Sequence, residues 1–408
     1  MKSVQVIDSI MGSGKTTAMI EWISDSTNWS KKFLVVTPYL TEVSRYLETC
    51  HGKFKQPKFT DKGNKHSNLE KLLEDGENVV TTHALFLDFD SVIGDLCQKN
   101  GYYLIIDETP DLFGVTNTLA KADIDLLMNT MLVVEPETGK IRFKEEYANY
   151  SGCFSKIKKQ CDRGSLMYNR ETNTVYNAFP FEIFEYFKQT YLMTYLFQGS
   201  LMRCYFDYFK IPYEMKSIRR DPEDFHYSFV PWHEAVPTVN YRELIKICDN
   251  KKMNLIGKDK NALSKSWYSS AADEEFEKLQ HNIYNHTRNI CKVKQKDILW
   301  TTFKDYKDLI GERGFKKSYA PLNQRASNEY LECTCVCYLV NRFINPFVKN
   351  FFVRSGVKMD EDAYALSEML QFIWRSAIRT GKPINLYIPS SRMRGLLEKW
   401  IEENSVPA

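Results

Sequence analysis

An apolar run, Val4 to Ile7, leads directly into Gly12-Ser13-Gly14-Lys15-Thr16-Thr17, and a helix-compatible segment, Thr17 to Ile23, follows. That order confines the start of the chain to one unit, a buried strand, a glycine loop and a helix, from which parallel α/β sheets are built. Glycines let the backbone curl until several N–H groups converge on an anion at the helix N-terminus. In such a loop Lys15 reaches the β- and γ-phosphates of a nucleoside triphosphate, and the Thr16 hydroxyl takes a Mg²⁺ coordination position. Gly12, Ser13, Gly14, Lys15, Thr16 and Thr17 are therefore the predicted nucleotide-binding residues. Counting back from Gly14-Lys15-Thr16, the first glycine of the usual G-x-x-x-x-G-K-[ST] pattern falls on Ser9, a departure the loop is expected to tolerate.

With 408 residues, 43% hydrophobic and 26% charged, the chain is long enough for about two domains. Strand-like runs at Val4–Ile7, Phe33–Thr37, Asn78–Thr82, Tyr103–Ile106 and Tyr191–Phe197 alternate with helical segments. A second series follows at Met253–Ile256, Ile298–Phe303, Ser318–Leu322, Thr334–Val340 and Ile384–Ile388. The expected fold is α/β, with two RecA-like parallel-sheet lobes in tandem. The first lobe is predicted over residues 1–210, the second over 241–408. Pro212, Pro222, Pro231 and Pro237 mark 211–240 as the linker between them. The stretch from Gly114 to Lys188 is longer than a simple connection and reads as an insertion in the first lobe.

No run of eighteen apolar residues exists and the first strand begins almost at Met1, so neither a membrane span nor a signal peptide is expected, and the predicted location is cytoplasmic. Ten scattered cysteines, with Cys333, Cys335 and Cys337 alternating as on a strand, read as reduced core thiols rather than a metal site. A net charge of +3 does not discriminate among partners.

Two further motifs concern chemistry. Leu104-Ile105-Ile106-Asp107-Glu108-Thr109-Pro110 is an apolar strand that delivers two carboxylates at its carboxyl end, where ligands of parallel sheets bind. There Asp107 approaches Mg²⁺ and Glu108 orients and deprotonates the attacking water. Near the end of the chain stands Gln371-Phe372-Ile373-Trp374-Arg375-Ser376-Ala377-Ile378-Arg379. On a helix Gln371, Arg375 and Arg379 form one stripe, drifting about 40° per step. Guanidinium groups aimed from a second lobe at a γ-phosphate stabilise the charge that develops in phosphoryl transfer.

The order Gly-Ser-Gly-Lys-Thr, Asp-Glu, Gln-x-x-x-Arg-x-x-x-Arg resembles superfamily 2 (DEAD-like) helicases, whose final motif is usually Gln-x-x-Gly-Arg-x-x-Arg; here the arginines stand one residue further apart. Trp300-Thr301-Thr302-Phe303-Lys304, Asn323 to Tyr330, Trp374-Arg375-Ser376 and Tyr387 to Met393 resemble the compact helicases encoded by bacteriophages. The resemblance covers most of both lobes but not the insertion. It implies an ATP- and Mg²⁺-dependent nucleic-acid helicase or translocase of phage replication or recombination, acting on DNA before RNA, with a protein partner from the same process. ATP would bind between the lobes, with Lys15, Asp107, Glu108, Gln371, Arg375 and Arg379 as catalytic residues and Thr16 and Asp107 holding the metal. Thr37-Pro38 and Thr82-His83 look like motifs that touch a nucleic-acid backbone. Arg325 stands in the motif that links the second lobe's two ligand surfaces, and Thr194 with Gly199-Ser200 is a weak match to the first lobe's coupling motif. Because the first strand starts so early, the upstream glutamine motif that reads adenine has no place, so preference for ATP follows from the family alone.

Within the insertion, Lys156, Lys158, Lys159 and Arg163 near Phe154, Tyr168 and Tyr176 suit phosphate contact with base stacking. A solvated charge run is the preferred reading there. Lys251, Lys252, Lys258, Lys260 and Lys265 offer a further electrostatic path. Rival readings are an ATP-dependent clamp or remodeller that does not unwind, a P-loop nucleotide kinase, which leaves the second lobe unexplained, and a packaging motor, whose nuclease carboxylates are not evident.

Overall fold

The structure, a computed structural model, describes residues 2–50, 53–59, 63–116, 119–234, 238–311, 316–322 and 329–406. The chain forms two compact units: Met1–Ser9, Gly14–Glu234 and Asn345–Met359 make the first, and Ile10–Ser13, Ala235–Ile344 and Asp360–Ala408 the second.

Sixteen strands are named in chain order. The first ten are β1 (Val4–Asp8), β2 (Lys32–Thr37), β3 (Val79–Thr82), β4 (Tyr102–Asp107), β5 (Phe113–Val115), β6 (Leu132–Val134), β7 (Ile141–Phe143), β8 (Leu166–Asn169), β9 (Thr174–Ala178) and β10 (Gln189–Thr194). The remaining six are β11 (Tyr213–Arg220), β12 (Tyr227–Pro231), β13 (Ile245–Ile247), β14 (Ile298–Thr301), β15 (Cys335–Tyr338) and β16 (Ile384–Tyr387). The first unit centres on a seven-stranded sheet of order β12-β11-β1-β10-β4-β2-β3, parallel except for the last pairing of β11 with β12. Its inner strands β2 and β4 are buried on both faces along nearly their whole length, the pattern of parallel strands covered by helices. Ile7, Phe33, Val35, Val80 and Ile105 meet Met19, Ile20, Ile23, Val43 and Tyr46 from two of those helices in one buried cluster.

The expected linker is corrected: residues 213–231 form a hairpin that extends this sheet beside β1. Three of the prolines bracket its strands instead of breaking them, with Pro212 before β11, Pro222 in the turn and Pro231 on the outermost strand, where a missing N–H is tolerated; Pro237 lies outside the described residues. The insertion has its own core, in which Ile124, Leu127, Ile157 and Cys161 from two helices pack on Leu132, Ile141, Leu166 and Val175. Phe154 and Tyr168 pack against that core and Tyr176 is buried, so these rings are not presented for stacking. Lys158 pairs with Asp162 and Arg163 with Asp88, both at 2.6 Å, while Lys156 and Lys159 are exposed.

The second unit holds a four-stranded parallel sheet of order β13-β16-β15-β14. Two expected strands are corrected. Met253 lies in the short helix Lys251–Asn254 that runs into a 3-10 turn, and Tyr319 makes only an isolated bridge to Trp300. The sheet's first strand is β13 instead. No helix among the described residues is long and apolar enough to cross a membrane.

Candidate nucleotide site

The phosphate loop leaves β1 and turns at Gly12 and Gly14, whose φ of 80° and 98° only glycine adopts without strain. Gly14 caps the helix Lys15–Ser24, and its carbonyl accepts from the Ala18 N–H at 2.8 Å. A Cβ on Gly14 would collide with the Tyr227 ring on β12. Ser9, standing for the usual glycine, is accommodated by the hairpin. Its hydroxyl lies 2.8 Å from that of Ser217 and accepts from the Ile218 N–H at 3.2 Å. Lys15 is 6% exposed and its ammonium donates to the Ser9 carbonyl at the root of the loop.

Strand register puts the other candidates at the same end of the sheet. Asp8 pairs with Thr194, Asp107 with Met193 and Thr37 with Thr82. The Thr16 hydroxyl donates to Asp107 Oδ2 at 3.0 Å, joining two motifs 91 residues apart. Burial, reinforced by the neighbouring Glu108 charge, pushes the Asp107 carboxyl up to about 7 against the pull of the Thr16 hydrogen bond. Glu108 follows with φ 63°, a strained left-handed backbone of the kind that persists at functional sites, and its N–H donates to the Met193 carbonyl at 2.9 Å. Thr17 receives Arg45 Nη2 at 2.8 Å.

The residues expected to meet a nucleic-acid backbone lie beside this group. The buried Thr37 hydroxyl is within 3.3 Å of the Thr81 carbonyl, and Pro38 and Thr82 are half-buried. The His83 ring holds the Asp107 carbonyl through Nε2 at 2.9 Å, which braces the end of β4. Two residues were missed. Asp8 accepts the N–H groups of Leu196 and Phe197 at 2.9 Å each, tying β1 to the turn after β10, and Tyr46 donates to Asp107 at 3.5 Å. Thr194 is buried, its carbonyl accepting from the Ser9 N–H at 3.1 Å, and the Ser200 hydroxyl caps the next helix by accepting from the Arg203 N–H.

In the second unit the expected stripe of Gln371, Arg375 and Arg379 does not form. The helix Glu361–Ile373 ends before Arg375, because the Ser376 hydroxyl takes the Ile373 carbonyl at 2.6 Å and the Ala377 N–H turns to Cys333. Arg375 is 3% exposed and its guanidinium donates to the carbonyls of Pro321 and Leu322 at 2.6 and 2.7 Å, a bracing role. Gln371 sits on the helix, and Arg379, on the 3-10 turn Ala377–Thr380, is half-buried. Arg325 lies outside the described residues. Lys251, Lys258, Ser391 and Arg394 line a cleft of about 360 Å³ next to β13, while Lys252, Lys260 and Lys265 are exposed.

The oxygen donors of Thr16, Asp107 and Glu108 are hard ligands of the kind Mg²⁺ takes. Beside the Lys15 cation they form a set that can hold a metal–polyphosphate and, through Glu108, a water.

Comparison with known proteins gives the same fold. The structures named XPD_APO and XPD_Helicase superpose with TM-scores of 0.51 each, at 14% and 12% identity. The first alignment covers 100% of this chain and 96% of the other, the second 97% and 94%. At those identities the likeness is one of fold: two parallel-sheet α/β lobes in tandem. Residues 239–401 match the YonV C-terminal Rossmann-like domain and residues 116–176, within the insertion, match the YonV middle domain. Over 98% of this chain and 99% of its own length, the SPbeta prophage-derived uncharacterized protein YonV of Bacillus subtilis (strain 168) is 37% identical. A relative so similar along its whole length places this chain in the YonV family.

Proposed function

We propose that this protein is an ATP-hydrolysing enzyme whose turnover is coupled to nucleic acid, a phage-type helicase or translocase of superfamily 2. The observation that carries the reading is the Thr16–Asp107 hydrogen bond, which brings the phosphate loop and the acidic strand end into one donor set beside Lys15 and Glu108. Thr16 and Asp107 would hold Mg²⁺, which neutralises phosphate charge when bound. Lys15 exchanges its loop carbonyl for phosphate oxygens, and Glu108 orients and deprotonates water. Arg379 and Gln371 are proposed to support hydrolysis, with Arg375 assigned to structure. Nucleic acid meets Pro38 and Thr82 at the strand ends, while Thr37, fully buried, holds the strand end in place and is not itself in reach. The His83 bond to the Asp107 backbone offers a path from that contact to the metal side of the site. The cleft lined by Lys251, Lys258 and Arg394, with Asp249 and Glu398 in the same wall, is a second proposed place for phosphates. DNA is the proposed polymer, the cytoplasm of the host the proposed location, and a replication or recombination protein the proposed partner; the prophage origin of the relative supports these.

Steady-state ATP hydrolysis by the purified protein, alone and with single-stranded, duplex or forked DNA or RNA, tests the reading. Lys15→Ala and Glu108→Gln are expected to reduce turnover to background, and one DNA form to raise the wild-type rate at least tenfold. Hydrolysis indifferent to every polymer overturns the coupling; a wild-type-like rate in either variant overturns the site.

A further inference from the structure

The helix Asp273–Tyr284 continues as a π-helical stretch over Asn285–Ile290, and Cys291 closes it with its N–H on the His286 carbonyl at 2.8 Å. Residues five apart on an α-helix point about 140° away from each other. The wider π turn brings them to one side, a distortion found often at functional sites. His286 and Cys291 accordingly meet, with Nε2 to Sγ at 3.5 Å. Cys335 completes the group from β15: the ligand-capable atoms of His286, Cys291 and Cys335 all lie within 4.8 Å of one another. The Cys335 thiol interacts in turn with Cys337, two residues on along the same face of the strand.

This cluster is built like a soft-metal site. His286 is 2% exposed, and its Nδ1 has no hydrogen-bond partner among the described residues, so one ring nitrogen meets nothing and the other only a thiol. Cys335 and Cys337 are fully buried, while Cys291 is partly exposed and gives an entry path. Tetrahedral zinc with Zn–S near 2.3 Å and Zn–N near 2.0 Å demands S···N edges of about 3.5 Å and S···S edges of about 3.8 Å. The first is already met between His286 and Cys291, and the two edges to Cys335, each within 4.8 Å, need contractions of at most about 1.3 Å. We propose that His286, Cys291 and Cys335 bind one Zn²⁺ as a Cys₂His site that staples the π turn to β15, with water in the fourth position at the partly exposed Cys291 edge. The plain alternative, reduced core thiols, leaves the π turn without a cause.

Cobalt is the spectroscopic probe. The full-length protein, stripped with chelator under reducing conditions, is titrated with Co²⁺ and then with Zn²⁺. One equivalent of Co²⁺ is expected to produce tetrahedral d–d bands and thiolate-to-cobalt charge transfer, both erased by one equivalent of Zn²⁺. Zn²⁺ should also raise the unfolding midpoint. Cys291→Ser, at the exposed edge of the cluster, should lower the charge-transfer intensity by about one half and weaken affinity at least tenfold. Cys97→Ser, a buried thiol of the first unit, should change neither. A wild-type protein that is folded by circular dichroism yet gives only the octahedral spectrum of free Co²⁺ overturns the site, as does equal loss in the Cys97 variant. None of these readouts depends on nucleotide hydrolysis.

Discussion

Burial lifts the Asp107 carboxyl to about 7, so in the proposed site this residue would hold a proton without metal and act as a ligand with it. The unfolded chain ionises Asp107 near 3.8, so in chelator the linkage has a definite sign. Below about pH 4 both states hold the proton and nothing is lost. As pH rises towards 7 the unfolded state gains by ionising while the folded state cannot, and above it the native protein carries the full penalty, up to about 4 kcal/mol. Asp107→Asn removes that titration while leaving an acceptor for Thr16. In urea unfolding at pH 4.5, 6, 7 and 8 the variant should gain on wild type up to about pH 7 and then level off, and Mg²⁺ should stabilise wild type alone. A pH-independent difference would refute the assignment. That Lys15, Thr16 and Asp107 meet at one end of the sheet was legible because the loop and the acidic pair each follow an apolar strand of a parallel sheet. Asp8 and Tyr46 were not, since their partners lie 188 and 61 residues away in sequence and no spacing records them.

Elements show why spacing alone can mislead. Residues four apart between Gln371 and Arg379 fit a helical stripe, but a serine hydroxyl and one backbone bond to Cys333 end the helix first. The β11–β12 hairpin was hidden for the opposite reason: its prolines look like linker punctuation until the sheet shows them at strand ends. That hairpin sets a local test. Gly14→Ala places a methyl group against Tyr227 and also forces alanine to φ 98°, so nucleotide affinity should fall at least tenfold in titrations with a fluorescent ATP analogue. Adding Tyr227→Ala removes the collision but not the backbone strain, and only part of the affinity should return. Full recovery in the double variant would mean that the strain contributes nothing; no loss in the single variant would mean that the loop does not hold nucleotide in this shape.

Across the whole molecule the chain is less linear than its two series of strands suggest. The helix Pro346–Arg354 lies in sequence among elements of the second unit yet belongs to the first. Residues 345–359 were expected in the second lobe because an amphipathic helix between two strands reads as cover for that strand's own sheet; only contacts reveal which sheet it serves. Phe351 packs 4.7 Å from Phe113 and 5.0 Å from Tyr176, ring centre to ring centre, and Phe352 packs 4.7 Å from Phe113. Arg203 donates to the Lys358 carbonyl just beyond the helix. The insertion's strands and the helix Leu201–Tyr208 are thus completed by residues that arrive far later in the chain, in the helix Pro346–Arg354. Phe352→Ala, at a fully buried position, should cost about 3–5 kcal/mol. If the helix is part of the first unit, that loss appears as faster hydrogen exchange in peptides spanning β5, β9 and 201–208, while β14, β15 and β16 keep their protection. Exchange that accelerates in the second sheet alone would return the helix to that unit. With the observed pattern, a fragment ending at 234 would leave Phe113 and Tyr176 uncovered, and adding residues 345–359 in trans would protect them again.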